Sequence, residues 1–374
     1  MRWVVAVLVV VAAVVGFYAL VPYGAPQLWS GGETFVEIAP GTSTAGIARQ
    51  LEQAGVLRSR YVLEAMKVVH GGTLKAGEYR FDHPATPAEV YARLRRGDVF
   101  TLTLVIPEGY NLFDIADAVA GAGFVGPGVS SPTRDGKAVT DGATIVSSPN
   151  SSGISRAEFL AAARQHTELI ALWSPHATSL EGYLFPDTYR FSRHATPLHI
   201  LSAMVKRFAQ QAARLGLGSS PTRDGEAVTD GAPRSSGSSR DVADIVTMAS
   251  LVEKEVHIDA ERAEVASVFE NRLAAGMPLQ TDPAVIYASL LRGTWTGVIH
   301  QSELHSDSAY NTYAHTGLPP GPICNPGMAA LQAALHPAKT DYLYFVADAR
   351  GATRFSATLA GHNANVAAYR AAKP

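Results

Sequence analysis

Cysteine is nearly missing from this chain: its 374 residues contain one, Cys324. That excludes an intrachain disulfide and any cysteine-based metal cage, and it leaves the redox compartment open. Charge is also scarce, at 17% of residues with a formal net charge of −2. No polybasic field of the kind nucleic-acid binders use is present. The histidines never fall into a His-Glu-x-x-His pattern, and His300, His305 and His315 are scattered over a loop-rich stretch. Neither a metal nor another cofactor is expected from such spacing. A Gly-x-Ser-x-Gly elbow and a Gly-x-x-x-x-Gly-Lys-Ser/Thr loop are both absent, which argues against serine-nucleophile and nucleotide-phosphate chemistry. What the chain does have is 47% apolar residues over a length sufficient for two domains with real cores.

The apolar content is concentrated first at the N-terminus. Residues 3–21 carry no charge and follow Arg2. As a helix such a run spans about 30 Å, enough to cross a bilayer core. A cleaved signal peptide is the competing reading, but the run exceeds a typical signal core and no Ala-x-Ala site follows cleanly. Residues 1–21 are therefore expected to be an uncleaved transmembrane anchor. Arg2 places its N-terminus in the cytoplasm and the rest of the chain outside; in a bacterial host the working domain lies beyond the inner membrane. Residues 22–33, rich in Pro and Gly, read as a linker.

Periodicity then predicts a compact module over 34–105: a strand at 34–38, helices at 45–54 and 59–69, and a strand at 77–81. A helix at 86–95, opened by Thr86-Pro87, and a strand at 100–106 complete it. It reads as a docking module. Beyond it, helical spacing covers 111–122, 155–165, 197–215, 241–255, 261–274 and 284–291. The fold class expected is α+β: an anchor, a small module, and a mixed α+β domain over 106–374.

One duplication stands out. Residues 130–143 recur at 219–232 with 13 of 14 positions identical, Glu226 replacing Lys137. Both copies are polar and rich in Ser, Gly, Asp and Thr, and neither can bury an apolar face. Their spacing is too long for a solenoid. They read as insertions, at about 126–153 and 218–239, in exposed loops between helices, where added length costs little.

Chemistry concentrates in Ala249-Ser250-Leu251-Val252-Glu253-Lys254-Glu255. A helical wheel over 241–256 sets Val242, Ile245, Ala249, Val252 and Val256 on one stripe, with Glu253 and Glu255 on its opposite margins. A carboxyl set against an apolar face is suited to donate a proton near neutral pH, because desolvation disfavours its charged form. The wheel leaves the two glutamates tied. Small neighbours, Ala249 and Ser250, favour Glu253 by leaving room for a substrate. The alternative is that both are ordinary helix-end residues, or ion-pair partners of Lys254, Arg262 or Arg272. Downstream, Gln280-Thr281-Asp282 forms a polar loop between Pro278 and Pro283, and Tyr310-Asn311-Thr312-Tyr313 an aromatic-polar run. Amide, hydroxyl and ring groups of this kind suit a sugar, which offers apolar C–H faces and many hydroxyls.

A longer series of motifs is recognisable. Glu181-Gly182-Tyr183-Leu184-Phe185-Pro186-Asp187-Thr188-Tyr189 precedes the Val-Glu-Lys-Glu helix. Val268-Phe269-Glu270-Asn271-Arg272-Leu273, Gly276-Met277-Pro278-Leu279-Gln280-Thr281-Asp282-Pro283 and the Tyr310–Tyr313 run follow. Gly317-Leu318-Pro319-Pro320-Gly321-Pro322-Ile323, Ala334-Leu335-His336-Pro337-Ala338, Tyr342-Leu343-Tyr344-Phe345-Val346 and His362-Asn363 end the series. In this order they resemble the YceG-like endolytic murein transglycosylases. The resemblance implies a LysM-like module at 34–105 and a catalytic domain after it. Glu253 would be the catalytic glutamate. The candidates for holding substrate are Gln280, Thr281, Asp282, Tyr310, Asn311, Thr312, Tyr313, Glu181 and Asn271, with Asp282 open to a purely structural role. It implies cleavage of the β-1,4 bond between N-acetylmuramic acid and N-acetylglucosamine, leaving 1,6-anhydro ends and terminating nascent peptidoglycan strands. Glycan strands, the membrane and penicillin-binding synthases are the partners that follow from it, and nucleic acid is not among them. Two other readings stay open: a muramidase that hydrolyses with Glu253 and Asp282, and a non-catalytic, membrane-tethered peptidoglycan-binding scaffold.

Overall fold

A computed structural model describes residues 33–125, 153–217, 241–256, 258–348 and 352–372, together with Trp3, Val9 and Ala13. The expected anchor, the linker and both polar insertions fall almost wholly outside the described residues. Among the described residues no helix is long and apolar enough to cross a membrane. The elements are mixed α and β, and they fall into two compact units.

The smaller unit contains β1 (Thr34–Ile38), α1 (Thr44–Gln53), α2 (Arg60–His70), β2 (Gly77–Phe81) and α3 (Pro87–Arg96). β1 and β2 pair antiparallel, Thr34 opposite Phe81 and Ile38 opposite Gly77. Alternation puts Val36 and Ile38 of β1 inward, where they join Ile47, Leu51, Leu63, Tyr79, Phe81, Val90 and Leu94 in one apolar core. The helices start where side chains can satisfy orphan N–H groups. Ser43 caps α1, and Thr86 caps α3 in a reciprocal box with Glu89, with Pro87 in the first turn. Residues 190–194 also belong to this unit. Arg193 donates through Nε to the buried Glu78 carboxylate at 2.6 Å and lies over the Phe35 ring at 3.8 Å.

The larger unit contains α4 (Leu112–Gly121), α5 (Arg156–Gln165), α6 (Pro197–Arg214), α7 (Val242–Glu255), α8 (Arg262–Ala274), α9 (Asp282–Arg292), α10 (Gln301–Leu304), α11 (Met328–Leu335), β5 (Tyr344–Ala347), β6 (Thr353–Ser356) and α12 (Leu359–Ala372). Two further strands, β3 (Leu102–Val105) and β4 (Thr188–Phe191), pair with each other where the chain passes between the units. α7 is central to the larger unit: α8, α9 and above all α11 pack on it. This corrects the expected one-sided stripe, because residues 245–252 are all buried, Thr247 and Ser250 included. A helix covered on all sides needs no polar face. The hydroxyls are absorbed locally, Thr247 Oγ1 donating to Ala243 O and Ser250 Oγ to Thr247 O.

Candidate active site

Glu253 lies in the last turn of α7, where the buried helix reaches its exposed end. Its side chain is 6% exposed. The burial expected of it is therefore present, but the surroundings are ionic as well as apolar. Arg262, at the start of α8, donates from Nη2 to Glu253 Oε1 at 3.1 Å, and the Gly327 N–H donates to Oε2 at 3.0 Å. Arg262 is itself nearly buried and also pairs with Asp259. Of the three ion-pair partners read from the sequence, Arg262 is the one seated on Glu253.

The room that Ala249 and Ser250 were expected to leave for a substrate is occupied. Ser250 Oγ accepts from Ile323 N at 3.1 Å, and Cys324 Sγ lies 3.3 Å from Ser250 O. Small side chains let the chain segment at 323–325 run along α7. That segment carries Asn325, which is fully buried. Asn325 Oδ1 accepts from Leu184 N at 2.8 Å, while Nδ2 donates to Tyr110 O at 3.0 Å and to Glu181 Oε1 at 2.8 Å. Its backbone bonds both Gly109 and Tyr110. Asn325 thus ties the turn at 107–110, the motif at 181–184 and the entry to α11 to one point.

The turn is read from Pro107-Glu108-Gly109. Tyr110 N closes on Pro107 O, and Gly109 takes φ +78, a left-handed conformation that favours glycine. Glu108 is consequently held at the tip. The residue is exposed overall, yet its carboxyl end packs onto Gly327: a side chain at position 327 would overlap Glu108 Cδ, Oε1 and Oε2. Burial of that end, then the charge of Glu253, push the Glu108 carboxyl above its ordinary range, with Arg262 pulling the other way. The strand expected at 100–106 ends just before this segment. The Pro-Glu-Gly turn was the available signal.

On the other side of α7's end stands a second cluster. Glu255 is half-buried, and its carboxyl is pushed up to about 7, by burial first and by the charge of Asp282 second, with Arg272 opposing. Asp282 Oδ1 accepts from Tyr313 Oη at 2.7 Å. Arg272 Nε donates to Leu343 O at 2.7 Å and Nη1 to Leu279 O at 2.9 Å, holding the polar loop. Within that loop Gln280 is exposed at φ +54, and its N–H donates to Thr312 O at 3.0 Å. Residues two apart on a helix do not share a face, so the Gln-Thr-Asp loop serves Glu255's side of α7.

The remaining sequence candidates divide by burial. Gln280, Asp282 and Tyr313 are exposed, and Tyr310 is half-buried, edge-on to Tyr287 at 5.2 Å. Thr281 and Thr312 are buried and stitch their loops together, Thr281 N donating to Thr312 Oγ1 at 2.9 Å. Asn311 is fully buried and donates to Leu304 O and Ser306 O. Asn271 donates to Thr340 O and Tyr342 O. Glu181 is buried and accepts from Leu112 N at 2.9 Å as well as from Asn325. Burial pushes its carboxyl up to about 8, against the Leu112 N–H and the Tyr287 hydroxyl. In the structure these groups hold backbone.

Known proteins were compared with the chain. The YceG-like family matches residues 36–368. The endolytic murein transglycosylase of Bacillus subtilis (strain 168) is 44% identical over 185 residues, 49% of this chain and 46% of that protein. A protein of the same name from Streptococcus pneumoniae R6 is 30% identical over 345 residues, 89% of this chain and 57% of that one. The chain spans about half the length of these curated relatives. A crystal structure of a YceG-like protein from Listeria monocytogenes is 29% identical, covering 90% of this chain and 99% of that chain, at a TM-score of 0.49.

Proposed function

The chain belongs to the YceG-like family, and from that premise we propose that it is an endolytic lytic transglycosylase acting on peptidoglycan. The observation that carries the proposal is the Glu253 carboxyl, almost fully buried at the end of α7 and held by Arg262 and the Gly327 N–H. Glu253, protonated, donates to the glycosidic oxygen between N-acetylmuramic acid and N-acetylglucosamine. As the bond breaks, the carboxylate that remains is matched by the two donors already aimed at it. It then takes the proton of the muramoyl C6 hydroxyl, whose oxygen closes the 1,6-anhydro ring. One residue serves as acid and then as base, and no water enters the products.

The same reading covers place and partners. The uncharged run at 3–21 would anchor the chain in the inner membrane, with the larger unit on the outer side, where nascent strands are made beside penicillin-binding synthases. The smaller unit would be a LysM-like glycan-binding module. Two observations support binding near Glu255: Gln280, Asp282 and Tyr313 are exposed together, and Tyr313 is bonded to Asp282.

Mass spectrometry of digested glycan tests the proposal. Wild type is expected to yield anhydro-ended products, and Glu253→Gln to lower their formation at least about a hundredfold while the protein stays folded. A mass increase of one water would instead indicate a hydrolase, and full cellular function of Glu253→Gln a scaffold. A second assignment of the acid rests on Glu255, whose carboxyl stands at about 7. Glu255→Gln in the same assay separates the two, since only the variant of the true acid loses the products.

A further inference from the structure

We propose that Glu108 is a positioning residue for the acid: its carboxyl, packed on Gly327 beside Glu253, sets the charge that faces the acid before substrate arrives. The inference rests on reading Glu253 as the proton donor.

Its geometry starts from Gly327. One group of this residue, the N–H, binds Glu253 Oε2 at 3.0 Å. The direction in which a side chain would leave its Cα is filled by the Glu108 carboxyl. Two carboxyls therefore meet the same residue from two elements far apart in sequence, the turn at 107–110 and the end of α7. Gly109, next to Glu108, lies beside Glu253 as well, since a Cβ there would stand 3.6 Å from Glu253 Cγ. Among the described residues, Glu108 caps no helix and forms no ion pair.

Charge decides what the pair does. A guanidinium favours the ionised form of a neighbouring carboxyl, whereas a second carboxyl favours the protonated form. Glu253 has Arg262 bonded to one carboxyl oxygen, and the glycine bonded to the other is packed against Glu108. The charged groups acting on Glu108 are Glu253 from α7, Arg262 from α8 and Asp259 from the turn before it. Lys254 of α7 reaches the same turn, its Nζ 3.4 Å from Gly109 O. α11 contributes no titratable side chain. With both carboxyls ionised, Arg262 faces two negative charges and Asp259 besides. The Glu108 carboxyl, raised by burial and by the charge of Glu253, is thus the group that adjusts to this excess, and replacing it with an amide removes a like charge from the surroundings of the acid. The proton accounting closes over a turnover. Glu253 gives the proton to the glycosidic oxygen, the C6 hydroxyl returns one, and Glu108 neither gains nor loses a proton in the cycle.

The test is the pH profile of kcat for glycan cleavage by the full chain between about pH 4.5 and 9, with products identified by mass. For a general acid the rate falls on the alkaline side, as the proton is lost. Glu108→Gln is expected to move that alkaline limb down by roughly one pH unit, a loss of about tenfold on the limb that is recovered at acid pH. Glu108→Asp, which keeps a carboxyl, should return the limb toward wild type. A uniform loss at every pH in Glu108→Gln, or a change in KM with the limb unmoved, overturns the proposal. An equal shift in Glu108→Asp and Glu108→Gln does so too, because geometry rather than charge is then responsible. Product masses report separately on the reaction: hydrolytic products from wild type would reject the transglycosylase reading while the limb still reports on Glu108.

Discussion

Glu253 and Glu255 are two residues apart and chemically identical, and their surroundings make them different. Glu253 is held between Arg262 and the Gly327 N–H. Glu255 has a carboxylate for a neighbour, Asp282, and its carboxyl rises to about 7. A raised acid binds its proton more tightly when folded than when unfolded. Its contribution is fully present below the unfolded value near 4.5 and is lost as pH rises through about 7. Glu255→Gln removes that dependence. Denaturant unfolding at pH 5 and pH 8 should show the wild-type loss of stability shrinking by about 1–2 kcal/mol in the variant. An unchanged difference between the two pH values would refute the assignment. At this scale the sequence singles out these two glutamates and leaves them tied. Their partners come from helices that no spacing along α7 could have indicated.

Elements were legible wherever a cap or an amphipathic period marked them. The strands at Thr34–Ile38 and Gly77–Phe81 stand as read, and α1 through α9 stand within a few residues of their predicted limits. α11 was not read. Its sequence, Met-Ala-Ala-Leu-Gln-Ala-Ala-Leu, is short and nearly all apolar, so it carries no contrast between faces. β3 is read although it is four residues long, because residues 100–106 alternate; β5 and β6, equally short, lack a clear inward–outward burial pattern, and β4 was also missed. Yet α11 carries Gly327 as its N-cap residue at φ −78, a conformation that alanine also adopts. Gly327→Ala is therefore a steric probe without backbone strain, since the atoms nearest the new methyl are those of the Glu108 carboxyl. We expect cleavage to fall roughly tenfold to a hundredfold with a change in stability of about 1 kcal/mol. Normal cleavage by this variant would show that the placement of Glu108 is irrelevant to the site.

Across the whole molecule, chain order and spatial grouping part company. A boundary at 105 was drawn from the run of predicted elements, yet the smaller unit also includes residues 190–194. Arg193 from that segment neutralises Glu78, whose side chain is only 4% exposed. Removing the partner of a buried charge leaves it uncompensated, so Arg193→Ala should destabilise the smaller unit by about 2–4 kcal/mol, softened by His194 at 3.4 Å. Hydrogen exchange in β1 and β2 would report it; unchanged protection there would mean that Arg193 is dispensable. The order of motifs, the α+β class and the acidic end of α7 were fixed by local pattern, because propensity, capping and turn chemistry act within a few residues. Which glutamate meets Arg262, what fills the space beside Ser250, and the approach of Glu108 to Glu253 were decided by tertiary packing alone. Arg262 and Glu253 are 9 positions apart and on different helices, whereas Ile323 and Ser250 are 73 apart, and charge and burial depend on distance in space, which local spacing does not record.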